Sequence, residues 1–262
     1  MNICEKIGNE KEKETCFGTA AKVIKEISIC DEIKSQNERD WCYFKLIVFE
    51  KVNLRDPTIC EKISRYKDDC YTNVAKTLGD VNICNNLDGR DRGYCQADLA
   101  EVLKDKSICE KIELQEPKEK CYISSAGILK DETLCFKLKE RNKSQCYLAV
   151  AKGKKDPILC EQIYSPGDCW MPNYRHDCYS ALSLDLKDPN LCEKIECKHV
   201  RDRCFNLLAT SQLDIGLCEK IETESEKTEC KSYINMRIKL EEKKWKLGDW
   251  ELYRDILEAI EA

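Results

Sequence analysis

The sequence contains few of the residues and motifs that usually mark an active site. Only two histidines, His176 and His199, occur in 262 residues. The nucleophile elbow of hydrolases, the P-loop, the HExxH zinc motif and the dinucleotide fingerprint are all missing from the sequence. The sequence therefore predicts a protein that is not an enzyme and that needs no cofactor.

Long apolar runs and basic clusters are missing as well. The apolar runs, such as residues 46–49, are far shorter than the ~20 residues of a membrane span. Lys and Arg are dispersed along a chain of net charge −5, without the basic patch typical of nucleic-acid-binding proteins. We expect no membrane span in this chain and no nucleic-acid partner. Residues 1–16 do not resemble a signal peptide, so a secreted protein would be numbered here as a mature chain or an excised piece.

Cysteine, in contrast, is abundant, with 20 residues in the chain. An even count at this density is typical of disulfide-bonded proteins, so we expect an extracellular or cell-surface location. The alternative is the cytoplasm of a hyperthermophile, where disulfides persist and where charged surfaces, here 35% of all residues, are common. Close CxxC pairs do not occur, so the sequence predicts no zinc or iron–sulfur site.

The cysteines divide the sequence into nine repeats, each with a first cysteine, a, and a second cysteine, b. The interval from b to the next a is 14 residues in seven of eight cases, whereas the interval from a to b varies from 10 to 18. A helix explains the constant interval and a turn explains the variable one. The a series is Cys4, Cys30, Cys60, Cys84, Cys109, Cys135, Cys160, Cys192 and Cys218, and the b series is Cys16, Cys42, Cys70, Cys95, Cys121, Cys146, Cys178, Cys204 and Cys230.

Each repeat predicts a pair of helices. Asp56 lies four residues before Cys60 and is a typical N-cap, and Pro57 fits the first turn that follows. Ile59 and Ile63 lie on one face of this short helix. A second, longer helix is expected to begin about one turn before cysteine b. Its buried face carries an aromatic residue and small residues.

Geometry favours disulfides within each repeat. In an antiparallel hairpin a and b lie level, whereas b and the next a are separated by most of a helix, about 15 Å, which exceeds the ~7 Å reach of a disulfide. We predict nine a–b bonds and one bond between repeats, Cys169–Cys197. A metal cluster of Cys197 and His199 with Cys169 or His176 is the alternative, but surface histidines beside a disulfide are the favoured interpretation.

Two segments depart from the repeat pattern. The first, Tyr164–Cys178, lengthens one turn, and Trp, Tyr and Arg are enriched in binding hot spots. Its predicted partner-binding residues are Trp170, Met171, Tyr174, Arg175 and His176. The alternative is that this loop packs on its neighbours. The second segment, Trp41–Val52, is apolar nearly all round, so we expect it to be more buried than its equivalents, against a partner subunit or the rest of the chain.

The arrangement resembles the helical-hairpin solenoids of the tetratricopeptide and Sel1-like repeats, in architecture only. The resemblance covers residues 4–230 and implies a scaffold or binding surface. The Lys- and Glu-rich, disulfide-rich composition also resembles that of secreted proteins of thermophilic archaea.

Together these observations predict an all-α fold, a solenoid of nine disulfide-linked αα-hairpins. Residues 1–230 form the repeat domain, and residues 231–262 form a helical extension with a C-terminal capping helix. The expected function is a non-enzymatic extracellular scaffold, with a protein partner or self-assembly, as in a surface assembly or filament. The alternative is a small-molecule or ligand-binding protein, or failing that an enzyme, that uses the Tyr164–Cys178 loop.

Overall fold

The computed structural model describes residues 2–50, 56–165, 169 and 173–246. Throughout these residues the regular structure is helical, and no strand occurs. The chain divides into two compact parts, which we call the N-terminal half (Met1–Leu129) and the C-terminal half (Lys130–Ala262). The expected all-α fold is therefore confirmed.

In the N-terminal half, short and long helical segments alternate. The long segments are α-helices, and one of them, α3, continues directly as a π-helix over Lys45–Phe49. The short segments are four to six residues of α-helix or 3₁₀ helix. In chain order the elements are α1 (Asn2–Glu5), α2 (Glu10–Ile24), 3₁₀ Ile27–Glu32, α3 (Gln36–Phe44), 3₁₀ Pro57–Lys62, α4 (Lys67–Leu78), 3₁₀ Val81–Asn86, α5 (Gly89–Leu103), α6 (Ser107–Lys111) and α7 (Gln115–Leu129).

The C-terminal half has the same alternation. Its last long helix, α13, runs through Cys230 to Lys246, so the extension begins as a continuation of the final repeat. The predicted capping helix beyond it lies outside the described residues. The elements are 3₁₀ Glu132–Lys137, α8 (Glu140–Lys154), 3₁₀ Pro157–Gln162, α9 (Tyr174–Leu186), α10 (Asn190–Glu193), α11 (Lys198–Gln212), α12 (Ile215–Cys218) and α13 (Glu224–Lys246).

The short segments begin as the sequence predicts but are tighter than expected. The carboxylate of Asp56 accepts a hydrogen bond from the backbone N–H of Thr58 at 2.9 Å, as an N-cap does. The N–H of Ile63 then bonds to the carbonyl of Cys60, three residues back. Five such segments of six residues are 3₁₀ helix rather than α-helix, with hydrogen bonds that span three residues instead of four.

The long helices begin earlier than expected. Cys95 is the seventh residue of α5, so two turns precede it rather than about one. Most long helices end at a residue in the left-handed conformation, such as Lys104 with φ 54°. The cap N–H of that residue bonds back to the carbonyl of Ala100, which closes the helix.

Ten disulfides join the two kinds of helix and form the centre of the core. Nine link a to b within a repeat, and Cys169–Cys197 links repeats 7 and 8, which is the pairing that the spacing predicts. Their Cα–Cα distances lie between 5.5 Å and 5.8 Å, the usual range for a disulfide. Ile or Leu residues that flank most of the a cysteines, such as Ile29 and Ile33, pack around these bonds.

None of the described helices combines the length and the apolar character needed to cross a bilayer.

The pairing makes a direct prediction. Digestion of the oxidised chain without reduction should release a peptide in which Cys60 is joined to Cys70, because these Cα atoms lie 5.6 Å apart. Mass spectrometry reads the linkage, with the same digest after reduction as the control. A peptide that joins Cys70 to Cys84 would contradict the fold.

Candidate functional site

The long turn of repeat 7 is held against the protein by its described side chains. The guanidinium of Arg175 donates to the carbonyl of Ile163 at 2.8 Å and to that of Glu161 at 3.3 Å. The hydroxyl of Tyr174 accepts a hydrogen bond from Gln145 at 2.5 Å. Of the predicted partner-binding residues, Tyr174 and Arg175 are therefore engaged internally.

His176, also predicted to contact a partner and expected at the surface, is buried, with 3% of its area exposed. It follows Asn173, which caps α9 and donates to the hydroxyl of Ser165 at 2.8 Å. Burial lowers the pKa of His176, although Glu196 and Asp177 act in the opposite direction. The surface-histidine prediction is wrong for His176, because the start of α9 packs this ring inside, whereas His199 is exposed as predicted. Trp170 and Met171 lie outside the described residues.

His176 occupies a repeated position, two residues before cysteine b, that we call the junction position. In repeat 2 this position is Asp40, which is fully buried. Its carboxylate accepts hydrogen bonds from the hydroxyl of Ser64 at 2.6 Å, from the N–H of Arg65 at 2.9 Å and from Gln36 at 2.6 Å. Ser64 and Arg65 belong to the turn of repeat 3, so this aspartate ties two consecutive repeats together.

Repeat 8 has the same arrangement in the C-terminal half. Asp202 is fully buried and accepts hydrogen bonds from the N–H of Glu222 at 2.9 Å and from the hydroxyl of Thr223 at 2.6 Å. Burial would raise the pKa of Asp202, but these hydrogen bonds to the charged form outweigh it and lower the pKa. Asp202, on α11, is thus an ionised group whose carboxylate is fully hydrogen-bonded to the residues just before α13.

Repeat 7 is linked to the next repeat in a different way. Its junction position holds His176 instead of an acid, so the hydrogen bonds seen at Asp40 and Asp202 are replaced. The turn of repeat 8 supplies Cys197, which bonds to Cys169 at an S–S distance of 2.01 Å. A covalent link therefore joins consecutive repeats where the carboxylate link is missing, which is a structural role for the irregular loop.

The recurrent CEKI motif has its own contact between repeats. The Lys of one copy reaches the acid that follows the a cysteine of the preceding repeat: Lys62 to Asp31 at 2.8 Å, Lys194 to Glu161 at 3.3 Å and Lys220 to Glu193 at 2.7 Å. Their side chains are roughly half exposed, and such pairs contribute little individually. The repeated Glu and Lys therefore align neighbouring repeats rather than form a catalytic site.

The second irregular segment differs from its prediction. Leu46 and Ile47 are buried, but Trp41 is 38% and Phe49 65% exposed, so the segment is not buried on all sides. The rings of Trp41 and Phe44, both in α3, stack with centroids 5.4 Å apart. Tyr66, with a φ of 63°, packs on Phe44 at 4.3 Å. Residues 51 and 52 of this segment lie outside the described residues.

Exposed apolar side chains recur at another repeated position, seven residues after cysteine b. In the N-terminal half four of the five repeats carry them, Val23, Phe49, Val102 and Ile128, with exposures of 76%, 65%, 52% and 43%, whereas repeat 3 has the exposed Thr77. We call these four apolar residues the apolar row. Val23 and Phe49 lie on neighbouring helical segments, as do Val102 and Ile128, and α4, which carries Thr77, lies between the two pairs. In the C-terminal half the same position holds Gly153, Asp185, Ser211 and Arg237.

The fold leaves this position open to solvent in both halves, so packing does not require apolar residues there. Apolar residues at this position occur in the N-terminal half and not at the equivalent positions of the C-terminal half. Sequence reasoning missed the row because it searched for breaks in the repeat pattern. Comparison of the residues seven positions after each b cysteine could have shown it.

Among the described residues no group of three or more His, Cys, Asp or Glu side chains is placed to hold a metal ion. In comparisons with known proteins, no family model matches the chain, and neither a curated protein nor a solved structure matches it. The structure itself is therefore the basis for a functional proposal.

The buried aspartates make a quantitative prediction. Asp202→Ala should lower the free energy of unfolding by about 3 kcal/mol, because it leaves buried donors of Glu222 and Thr223 without an acceptor. Chemical denaturation measures this change. The matched control is Asp185→Ala, an exposed residue on α9, which should change stability by less than about 0.5 kcal/mol. Equal effects would contradict the proposed link between repeats.

His176 should make stability depend on pH. Because its pKa is lowered in the folded state, the unfolded chain binds the proton more readily, so stability is full above the unfolded pKa of ~6.5 and falls as pH drops below it. Unfolding of the wild type and of His176→Gln should be compared at several pH values. The difference between their slopes should vanish above that pH, and parallel curves throughout would refute the assignment.

Proposed function

We propose that this chain is a non-enzymatic protein-interaction scaffold, located outside the cell or at its surface. In this proposal its nine disulfide-linked hairpins stack as a solenoid, and it acts as a subunit of a surface assembly or filament. The observation that carries the proposal is the apolar row, a set of outward-facing residues at a position that the fold does not bury.

Three features support this function. First, the repeated structure presents the same outward position on one helix after another, so it forms an extended surface from identical parts. Second, local disulfides and links between repeats hold that surface rigid, which reduces the entropy that binding costs. Third, twenty disulfide-bonded cysteines are typical of oxidising compartments, which supports an extracellular site over the cytoplasm of a hyperthermophile.

The alternative, a ligand-binding protein that uses the Tyr164–Cys178 loop, has less support. Arg175 and Tyr174 use their polar groups on the protein itself, and His176 is buried. Tyr164, with 73% of its area exposed, is the described residue of this loop that is most available to a ligand.

Position-specific cross-linking tests the proposal. A photoreactive amino acid in place of Val102 should form protein adducts when the oxidised chain is present on its source cells, because this residue faces the partner. The same amino acid in place of Ser211, the equivalent position in the C-terminal half, is the matched control and should give adducts at least ~10-fold weaker.

Equal labelling from both positions, or labelling only from Tyr164, would contradict the assignment of the apolar row as the interaction surface.

A further inference from the structure

The junction between repeats 4 and 5 lacks an acid that other junctions use. In three other junctions a carboxylate at the junction position accepts the backbone N–H that lies five residues after the next a cysteine. These pairs are Glu14 with Ser35 at 2.7 Å, Asp40 with Arg65 at 2.9 Å and Asp202 with Thr223 at 3.1 Å. In repeat 4 the junction position holds Gly93, against which Pro117 packs. The corresponding N–H, that of Leu114, therefore receives no carboxylate from repeat 4.

Two backbone donors are left over in this turn. Glu113 and Leu114 lie between α6 and α7, and neither N–H donates to an acceptor within the part of the chain that the structure describes. In repeat 9 the equivalent N–H groups of Glu222 and Thr223 both donate to Asp202, at 2.9 Å and 3.1 Å. The turn of repeat 5 thus has the donors of a carboxylate site without the carboxylate.

A lysine beside this turn also lacks its acid. The CEKI lysines that pair with the acid of the preceding repeat are Lys62, Lys194 and Lys220. Before Lys111 that acid is replaced by Asn85, although the acid is present wherever else this lysine follows another repeat. Asp105 attracts Lys111 electrostatically, but Asp56 does the same to the paired Lys62. Among the described residues Lys111 forms no ion pair or hydrogen bond, so its ammonium is available to an anion.

These groups surround a single cavity of about 210 Å³. It is lined by the two positions where acids are missing, Gly93 and Asn85, and by Lys111, Glu113 and Leu114. Its volume far exceeds the ~15 Å³ that one water molecule needs, so it admits an acidic side chain or a small organic acid. The cavity lies at the opposite end of α5 from Val102 and is therefore separate from the apolar row.

The charges around the cavity favour an anion. Arg92, which also lines it, donates through Nε to the carbonyl of Leu87 at 2.8 Å, and its Nη2 lies 3.7 Å from the fully exposed Asp88. The guanidinium therefore retains further N–H donors. Glu113 opposes this positive charge, but its side chain is exposed and forms no ion pair in the described ranges. Because Arg92, Lys111 and two backbone N–H groups outweigh one acid, the cavity attracts a negative group.

We propose that the cavity between repeats 4 and 5 is a carboxylate-binding site, in which a carboxylate from another molecule takes the place of the acids replaced by Asn85 and Gly93. Its oxygens accept hydrogen bonds from the N–H groups of Glu113 and Leu114 and from Nζ of Lys111. Two sources share this chemistry, the acidic side chain of a partner protein and a small organic acid. The inference goes beyond the proposed function, because it concerns a different surface and does not depend on the apolar row.

NMR titration of the full oxidised, isotope-labelled chain tests the site. The probes are acetate and a short peptide, capped at both ends, that contains one glutamate, each added at constant ionic strength. The amide signals of Glu113 and Leu114 should shift in a saturable manner, because a hydrogen bond to a carboxylate changes the surroundings of these protons. The same peptide with glutamine in place of glutamate should cause no such shift.

Four variants separate this site from a general attraction of anions. Asn85→Asp restores the internal acid beside Lys111, so it should weaken binding at least ~10-fold, and Lys111→Ala should do the same because it removes the ammonium. Glu113→Gln removes the opposing charge and should strengthen binding. The matched control is Asn37→Asp, the same change of charge at an exposed residue of α3, which should alter affinity by less than ~2-fold. Circular dichroism verifies that each variant is folded.

A wild type that shows no saturable shift with either probe would overturn the inference. Equal losses from Asn85→Asp and Asn37→Asp would overturn it as well, because they would indicate only general attraction. Tighter binding of the peptide than of acetate identifies the side chain of a partner as the ligand, whereas binding of acetate alone identifies a free organic acid. Cross-linking from residue 102 is a separate measurement, so failure of this site leaves the scaffold function unaffected.

Discussion

The disulfide that joins a short helix to a long one is the constraint on which the other contacts of each repeat depend. A short segment of six residues has no stability of its own, because it forms only a few hydrogen bonds. Fixed to the long helix through Cys60–Cys70, with Cα atoms 5.6 Å apart, it buries Ile63 and positions its N-cap. The disulfide thus lies at the centre of the core of each repeat, and apolar side chains pack beside it.

A second set of contacts joins repeats to one another, and it is chemically varied. Asp40 and Asp202 use buried carboxylates, repeat 7 uses the Cys169–Cys197 bond, and the CEKI motifs use exposed ion pairs. At another junction position, Gly93 lets Pro117 approach so closely that a Cβ would lie 2.8 Å from it. The sequence can therefore vary at this position provided that the next turn varies with it.

Much of this organisation could be predicted from the sequence, because spacing constrains it. The interval of 14 residues from b to the next a requires a helix, and an Asp four residues before Cys60 marks where the short segment begins. The choice between 3₁₀ and α-helix was not predictable, since it depends on how the chain enters the next turn. The burial of His176 was not predictable either, because it depends on a neighbouring repeat and not on local pattern.

The surface was harder to predict than the core for a related reason. The volume of the core and the neighbouring side chains limit which residue can be buried. The residue type therefore indicates where the side chain lies, as at Ile63 or Cys60. An exposed residue such as Val102 has no such limit. The difference between the two halves becomes visible only when Val102 is compared with Ser211, the residue at the same position of another repeat.

The sequence separation of the disulfides has a consequence for biosynthesis. Nine bonds join cysteines only 10 to 18 residues apart, whereas Cys169–Cys197 spans 28. Closing a short loop costs little chain entropy, so each repeat can form its own disulfide without waiting for the rest of the chain. The bond between repeats 7 and 8 can form only after both repeats are present. Its formation therefore reports that two consecutive repeats have come together.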